Sequence, residues 1–154
     1  MKDCLIKIVV VAVPFLLGGC NRLVQETGMD EGRFVETFFG SAFPTNQTHL
    51  EFVYKAGIRG FVAVARVSGP PEEIKKVLAA AGVNDLREGA EKGEVSKLLQ
   101  LRIAGLAKEK ADVLLPSGLA GAEYRWQSIT SSNDLREYYV PTDYTHFIFI
   151  DVRQ

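Results

Sequence analysis

Two histidines are the side chains best suited to acid–base or metal chemistry in this 154-residue sequence. His49 stands alone, whereas His146 follows Asp143 by three positions in the segment PTDYTH. A carboxylate beside an imidazole is a common arrangement for general acid–base catalysis, and both groups also bind metals. One hypothesis is therefore a catalytic or metal role for Asp143 and His146. The alternative is that Asp143 caps the turn that follows Pro141.

Other signatures of catalysis or of cofactor binding do not occur in the sequence. There is no HExxH, CxxC, GxGxxG or Walker sequence, so a metal centre or a nucleotide site has no support. The segment LPSGLAG around Ser117 resembles the GxSxG turn of serine hydrolases, but Leu115 stands where the first glycine is required. We therefore expect a loop there, no cofactor, no metal, and a protein that is not an enzyme.

Asp151 lies in an otherwise apolar segment. Phe147, Phe149 and Asp151 occupy every second position, so in a strand the three side chains would point to the same face. If that face of a strand lies in the core, the carboxylate needs a cationic partner, for which Arg66 and Arg125 are candidates. The interpretation that we favour places Asp151 at the end of the strand, in solvent.

Aromatic side chains are the best candidates for recognition of a partner. We expect Trp126, Tyr138, Tyr139 and Tyr144 to be the partner-binding residues, because rings on a sheet stack on sugars or anchor a protein. The alternative is core packing, since aromatic residues also favour strands for that reason. Tyr138 and Tyr139 are adjacent, so in a strand they point to opposite faces.

Composition and charge indicate one folded domain. The chain is 47% hydrophobic and 24% charged, as is usual for a globular protein, and its net charge is -1. This near balance argues against a nucleic-acid partner, which usually requires a basic patch. The two cysteines, Cys4 and Cys20, both lie near the start, so the rest of the chain has no disulfide, thiolate metal site or cysteine nucleophile.

The N-terminal segment is typical of a secretory signal peptide. Residues 1–7 are mildly positive and residues 8–17 are apolar, and Asn21 and Arg22 end the run. A membrane-spanning helix needs about 20 apolar residues, so this segment is too short. A positive start, a short apolar middle and small residues before a cleavage site predict removal of residues 1–19.

The residues Leu17, Gly18, Gly19 and Cys20 form the sequence LGGC, which resembles the lipobox of bacterial lipoproteins. The resemblance implies transfer of diacylglycerol to the Cys20 thiol, cleavage before Cys20 and acylation of the new amino terminus. Gly18 departs slightly from the alanine or serine that is usual there. The alternatives are a plain secreted protein and an uncleaved anchor with an incidental cysteine.

The same resemblance implies a lipid-anchored protein of the bacterial cell envelope that faces the periplasm. Asn21 is compatible with the outer membrane in bacteria that have two membranes. The mature domain resembles uncharacterised small lipoproteins, and no motif names a family. We expect a non-enzymatic module that binds an envelope protein or a cell-wall component. The alternative function is a lipid-tethered hydrolase that uses Asp143 and His146.

Periodicity predicts the order of the elements behind this anchor. After a tether at residues 20–32, a single domain is expected over residues 33–154, with a helix near its start that ends by Gly40. Next come two strands within 49–67, helices within 70–82 and 94–110, and strands at 123–130 and 146–153, with another candidate at 135–140. This order predicts an α+β fold in which a mostly antiparallel sheet has helices packed on one face.

Overall fold

The computed structural model describes residues 29–153 except residues 42, 59, 90, 92, 108–109, 116–121 and 132–133. The helices in the described residues are α1 (Glu31–Phe38), α2 (Pro71–Ala80), α3 (Glu94–Leu106) and α4 (Ala111–Leu114). The strands are β1 (His49–Gly57), β2 (Gly60–Ser68), β3 (Tyr124–Thr130), β4 (Asp134–Pro141) and β5 (His146–Arg153). The predicted α+β class is confirmed, and the candidate strand at 135–140 is β4.

All five strands form one antiparallel sheet in the order β1-β2-β5-β4-β3. β1 and β2 form one hairpin, β3 and β4 form another, and β5 lies between the two. In this register Phe149 lies between Ala65 on β2 and Tyr138 on β4. β5, the last strand in the described residues, is therefore the centre of the sheet.

The first face of the sheet is covered by α1 and α2. The strand residues on this face include Leu50, Ala63, Ala65, Val67, Tyr138, Val140, Phe147 and Phe149. The helices contribute Phe34, Val35 and Phe38 from α1, and Ile74, Val77 and Leu78 from α2. The small side chains of Ala63 and Ala65 leave room for aromatic rings, and the Phe38 ring centroid lies 5.6 Å from that of Phe149. The predicted aromatic helix therefore packs on the middle of the sheet.

The second face is covered by α3 and α4. Its core includes Val53, Val64, Tyr124, Tyr139, Ile148 and Ile150 from the strands and Val95, Leu99, Ile103 and Leu114 from the helices. Helices thus lie on both faces, whereas the sequence predicted one covered face. The reason is that β2 and β5 are apolar on both sides, since Val64 and Ile150 alternate with Ala63 and Phe149. The apolar side chains of such strands are removed from water only when both faces of the sheet are covered.

Local signals explain where the helices begin and end. Asp30 Oδ1 accepts a hydrogen bond from the backbone N–H of Arg33 at 2.8 Å, which caps α1. Pro71 is the first residue of α2, a position that needs no N–H donor. Gly82, with a φ of 79°, follows α2 as the predicted stop. α3 ends at Leu106, before the predicted limit at residue 110, and Gly105 weakens its last turn.

A segment between α2 and α3 runs along the outer edge of β3. The backbone of Arg87 exchanges two hydrogen bonds with that of Trp126, at 2.8 and 2.9 Å. The Gln127 side-chain oxygen also accepts from the backbone N–H groups of Asn84 and Asp85, at 3.0 and 2.8 Å. These bonds fix residues 84–87 beside the sheet and form one wall of the site described below.

The domain includes residues that the sequence assigned to the tether. Met29 packs against the core of the first face and Asp30 caps α1, so the fold includes residues 29–32. The predicted signal peptide, Cys20 and Ser117 lie outside the described residues. Among the helices that the structure describes, none is long and apolar enough to cross a membrane.

Candidate functional site

The turn between β4 and β5 carries an aromatic ring at one end of the sheet. The Tyr144 N–H donates to the Pro141 carbonyl at 3.1 Å, which closes the turn. Asp143 Oδ1 accepts from the backbone N–H and the hydroxyl of Thr145, at 3.1 and 3.0 Å. These bonds, the backbone N–H first, lower the pKa of Asp143. Asp143 therefore caps the turn, as one of the two interpretations of the sequence predicted.

Tyr144 holds its ring on an unfavourable backbone conformation. Its φ is 55°, and the other positive φ angles among the described residues belong to glycines. A β-carbon in this left-handed region costs about 1–2 kcal/mol, which is why glycine or asparagine usually occupies it. Such residues occur often at binding and catalytic sites, where the surrounding structure holds them in place.

Two cations from different elements contact the Tyr144 ring. Lys75 on α2 places Nζ 5.3 Å from the ring centroid, and Arg125 on β3 places Cζ 5.1 Å from it. Each cation–π contact contributes about 0.5–1 kcal/mol where water is present. The ring thus joins the turn to α2 and β3, and it orients the Arg125 side chain.

Arg125 is distinguished from the other described arginines by its lack of a carboxylate partner. The others each have a carboxylate oxygen within 4.0 Å: Arg33 with Asp30, Arg66 with Glu51, Arg87 with Asp85, Arg102 with Glu137, Arg136 with Asp151 and Arg153 with Asp134. Within the described residues no such oxygen reaches Arg125, and its buried Nε has no hydrogen-bond partner. Arg125 thus makes no ion pair within 4.0 Å among the described residues, although Glu88, Glu91 and Glu123 line a cleft beside it.

Two clefts meet at Arg125. The first, which we call the Tyr144 cleft, has a volume of about 330 Å³ and is lined by Lys75, Leu78, Val83, Asp85, Arg125 and Tyr144 among others. The second, the acidic cleft, has a volume of about 160 Å³ and is lined by Glu88, Glu91, Ser96, Glu123, Tyr124 and Arg125 among others. The unpaired arginine thus forms a wall of both clefts, at the end of the sheet where β3 begins.

His146 is buried behind this turn, and both of its ring nitrogens have partners. Nε2 lies 2.6 Å from the Tyr124 hydroxyl, and Nδ1 lies 3.1 Å from the Thr145 hydroxyl. Burial, and to a smaller extent the nearby Arg66 guanidinium, lower the pKa of His146 to about 4, so the ring is neutral at neutral pH.

The directions of these hydrogen bonds follow from the protonation states. Burial raises the pKa of Tyr124, so its hydroxyl keeps its proton and donates to His146 Nε2. His146 Nδ1–H then donates to Thr145, whose hydroxyl donates to Asp143. The hydrogen bonds thus connect Asp143 to His146 through the Thr145 hydroxyl, and both ring nitrogens of His146 have partners within the protein. This geometry does not support the hypothesis of an enzyme based on Asp143 and His146.

The four aromatic residues proposed for recognition fall in different places. Tyr138 and Tyr139 are buried on opposite faces of the sheet, and burial raises the pKa of each to about 12. Trp126 is half-buried against the core of the second face. Tyr144 is half-buried and lines the Tyr144 cleft. Of the four, Tyr144 is the residue that the structure brings together with an unpaired charge.

Asp151 is fully buried, contrary to the solvent-exposed position that we favoured from the sequence. Arg136 lies directly opposite it in the register of β4 and β5, and Arg136 Nε lies 3.1 Å from Asp151 Oδ2. Burial raises the pKa of Asp151 despite this partner. The two partners suggested by the sequence do not reach it: Arg66 pairs with Glu51, and Arg125 lies opposite Val140.

The residues that line the Tyr144 cleft are far apart in sequence, and this separation hid the site. Lys75 belongs to a helix, Asp85 to the segment beside β3, and Arg125 and Tyr144 to a strand and a turn. Sequence reasoning identified Tyr144 as an aromatic candidate and Arg125 only as a possible partner of Asp151. The lack of a partner for Arg125 could not be read from sequence, since it depends on where every carboxylate lies in the fold.

Comparisons with known proteins return no relative of this chain. No protein-family model matches it, and no curated protein or solved structure matches it.

His49, the other candidate ligand, lies at the exposed start of β1, 3.7 Å from Glu51. In the part of the chain that the structure describes, no three His, Cys, Asp or Glu side chains are grouped so that they could hold a metal ion.

Proposed function

We propose that this chain is a lipid-anchored protein of the bacterial cell envelope, facing the periplasm, whose domain is a non-enzymatic binding module. Its partner is an envelope protein or a cell-wall component. The anchor is Cys20, supported by the LGGC sequence, and Asn21 favours the outer membrane where two membranes are present. The recognition site is the pair of clefts that meet at Arg125.

The observation that carries the binding function is that Arg125, beside the strained Tyr144, has no carboxylate within 4.0 Å among the described residues. A half-buried cation without a partner costs free energy in the isolated domain, because it has lost part of its hydration. A left-handed tyrosine adds to that cost. Both residues line the same cleft. A ligand that bound there would offset these costs, which explains why the protein tolerates them.

A short tether would keep this site near the membrane. Residues 21–28 separate Cys20 from the first described residue, Met29. Even a fully extended chain of this length reaches only roughly 30 Å. A module anchored in this way meets partners that lie at or close to the membrane surface.

The anchor can be tested by metabolic labelling with palmitate. We expect the wild-type chain to be labelled and Cys20→Ala to carry no label, because the thiol is the acceptor. Cys4→Ala is the matched control and should be labelled as wild type, since Cys4 leaves with the signal peptide. Equal labelling of the wild type and Cys20→Ala would contradict a lipid anchor at Cys20.

The binding site can be tested by photo-crosslinking in intact cells. A photoreactive residue at exposed Asn84, in the lining of the Tyr144 cleft, should give a specific crosslinked product. The same group at Leu101, which is 74% exposed on α3, is the matched control and should not give that product. The product from position 84 should be lost in Arg125→Gln. The same product from both positions, or a product unaffected by Arg125→Gln, would contradict this location of the site.

A further inference from the structure

We propose that the Tyr144 cleft binds the terminal carboxylate of a peptide whose last side chain is small and apolar. This inference rests on the proposed function, because it names the ligand class of the same site. It follows from the charge of the cleft, from the way Arg125 is held and from the apolar residues beside it.

The charge of the cleft fits a single negative charge. Three charged side chains line it, namely Lys75, Asp85 and Arg125. Lys75 pairs with Glu72 at 3.0 Å, and Asp85 pairs with Arg87 at 3.6 Å. Among the residues that the structure describes, Arg125 is left as the one cation of the lining without an ion pair, which matches a carboxylate better than a phosphate with two negative charges.

The geometry of Arg125 favours a carboxylate in particular. A guanidinium presents parallel N–H groups along its edge, which match the two oxygens of a carboxylate. The Tyr144 ring contacts the guanidinium, and the buried Nε shows that the stem of the side chain is enclosed. Arg125 is thus already ordered, and binding a carboxylate costs it little further conformational freedom.

Three apolar residues lie beside Arg125, where the group next to the carboxylate would sit. Leu78 and Val83 are nearly fully buried and line the cleft together with Leu86. Removing an apolar side chain of the ligand from water against these residues is favourable. Removing a charged side chain from water there would be unfavourable, because it would lose its hydration. The volume of about 330 Å³ is near the lower end for small-ligand sites, which suits the end of a peptide.

Two sources in the envelope could supply this chemistry. One is the C-terminus of a protein, with L-residues, and the other is a cell-wall stem peptide that ends in D-alanine. Both present a terminal carboxylate next to a small apolar side chain. The shared chemistry is what the cleft recognises, and peptides of each chirality distinguish the sources.

The test is a chemical-shift titration of the protein with three peptides, a method that detects millimolar binding. The peptides are acetyl-Gly-Ala-Ala with a free carboxylate, its C-terminal amide, and acetyl-Gly-D-Ala-D-Ala with a free carboxylate. We expect at least one free acid to bind, with the shifts centred on Tyr144, and the amide to bind at least tenfold more weakly. Binding of only the L-peptide indicates a protein C-terminus, and binding of only the D-peptide indicates the cell wall.

Three variants separate recognition from folding. Arg125→Gln removes the charge and should weaken binding of the free acid at least tenfold. Tyr144→Gly removes the ring at a position whose φ of 55° suits glycine, so it should keep the fold while weakening binding severalfold. Arg33→Gln is the matched control, because Arg33 is an exposed arginine on α1 that does not line the cleft, and it should bind as wild type. The melting temperature of each variant shows that the fold is kept.

Equal binding of the acid and the amide would overturn the inference, as would unchanged binding in a folded Arg125→Gln or the absence of binding by all three peptides. These failures are distinguishable from failure of the proposed function. If no peptide binds but the crosslink from position 84 still depends on Arg125, the ligand class is wrong and the binding module stands. If that crosslink is also missing, the proposed function fails.

Discussion

At the scale of residues, Tyr144 combines a ring that makes contacts with a backbone that disfavours any side chain. The ring lies between Lys75 and Arg125, and φ is 55°. These two contributions to stability have opposite signs, so substitution can separate them. The ring stabilises the turn through its contacts, whereas the β-carbon destabilises it through steric strain.

Comparison of Tyr144→Gly with Tyr144→Ala isolates the effect of the β-carbon, because both variants remove the ring. We expect the glycine variant to be more stable by about 1 kcal/mol, since glycine adopts a positive φ without a clash. Urea denaturation of the two proteins gives this difference. Alanine at this position being as stable as glycine would show that the backbone here is not strained.

The buried His146 predicts a dependence of stability on pH. Its pKa is about 4 in the folded protein against an ordinary value of 6.5. Above pH 6.5 the ring is neutral in both states and has no effect. As the pH falls below 6.5, the unfolded chain binds a proton that the folded protein does not, so stability is lost progressively down to about pH 4.

The expected loss from His146 between pH 7 and pH 5 is about 2 kcal/mol of unfolding free energy. His146→Gln keeps an acceptor for the Tyr124 hydroxyl but cannot be protonated, so its stability should change much less over this range. Urea denaturation at pH 7, 6 and 5 measures both profiles. Parallel profiles would show that His146 does not titrate as described.

A His146 variant that lost a cellular function while keeping its melting temperature would revive the enzyme hypothesis.

At the scale of elements, α3 is the helix whose position the sequence did not predict. Ile103 is fully buried against the second face of the sheet, whereas Leu101, two residues earlier, is 74% exposed. The two side chains have similar size and differ in what they contact. They therefore report whether α3 covers the sheet.

Ile103→Ala should lower the unfolding free energy by about 2–5 kcal/mol, because it removes buried methyl groups and leaves a cavity. Leu101→Ala is the matched control and should change it by less than about 0.5 kcal/mol, as is usual for exposed positions. Chemical denaturation measures both. Similar small effects for the two variants would mean that α3 does not pack on the sheet in solution.

The elements themselves were largely predictable, since each depends on local patterns. Alternation identified β2 and β5, and prolines, acidic residues and a glycine marked the limits of α2. The side of the sheet on which a helix packs depends on the connections, which leave no local pattern. The apolar character of Val64 and Ile150 on the opposite side from Ala65 and Phe149 was the available signal for two covered faces.

The candidate site was less predictable than the elements, for a physical reason. The turn cap at Asp143 follows from neighbouring residues, and the sequence supported it. The importance of Arg125 comes from the absence of a partner, which is a property of the whole arrangement of charges. Asp151 shows the same limit, because its partner Arg136 is set by strand register and not by sequence distance.

At the scale of the whole molecule, β5 holds the sheet together. It pairs with β2 on one side and with β4 on the other, so each hairpin reaches the other only through it. Its side chains also contribute to the cores of both faces. Loss of this strand should therefore abolish the fold and not merely weaken it.

A chain truncated after Thr145 should show no cooperative unfolding transition, because it keeps two hairpins without the strand between them. A two-stranded hairpin alone is at best marginally stable in water. Thermal unfolding followed by near-ultraviolet circular dichroism, with the full-length chain as the control, measures this. A sharp transition in the truncated chain would show that the sheet closes without β5.

The central position of β5 also sets the time at which folding can finish. Translation makes this strand after the other four, and β2, its neighbour in the sheet, lies roughly eighty residues before it in the chain. Contacts over such a distance form slowly. A chain in which β5 has not yet been made therefore cannot form the native sheet. For a protein exported across a membrane, as proposed here, this delay keeps the domain unfolded, and able to pass through a narrow channel, until β5 has been synthesised.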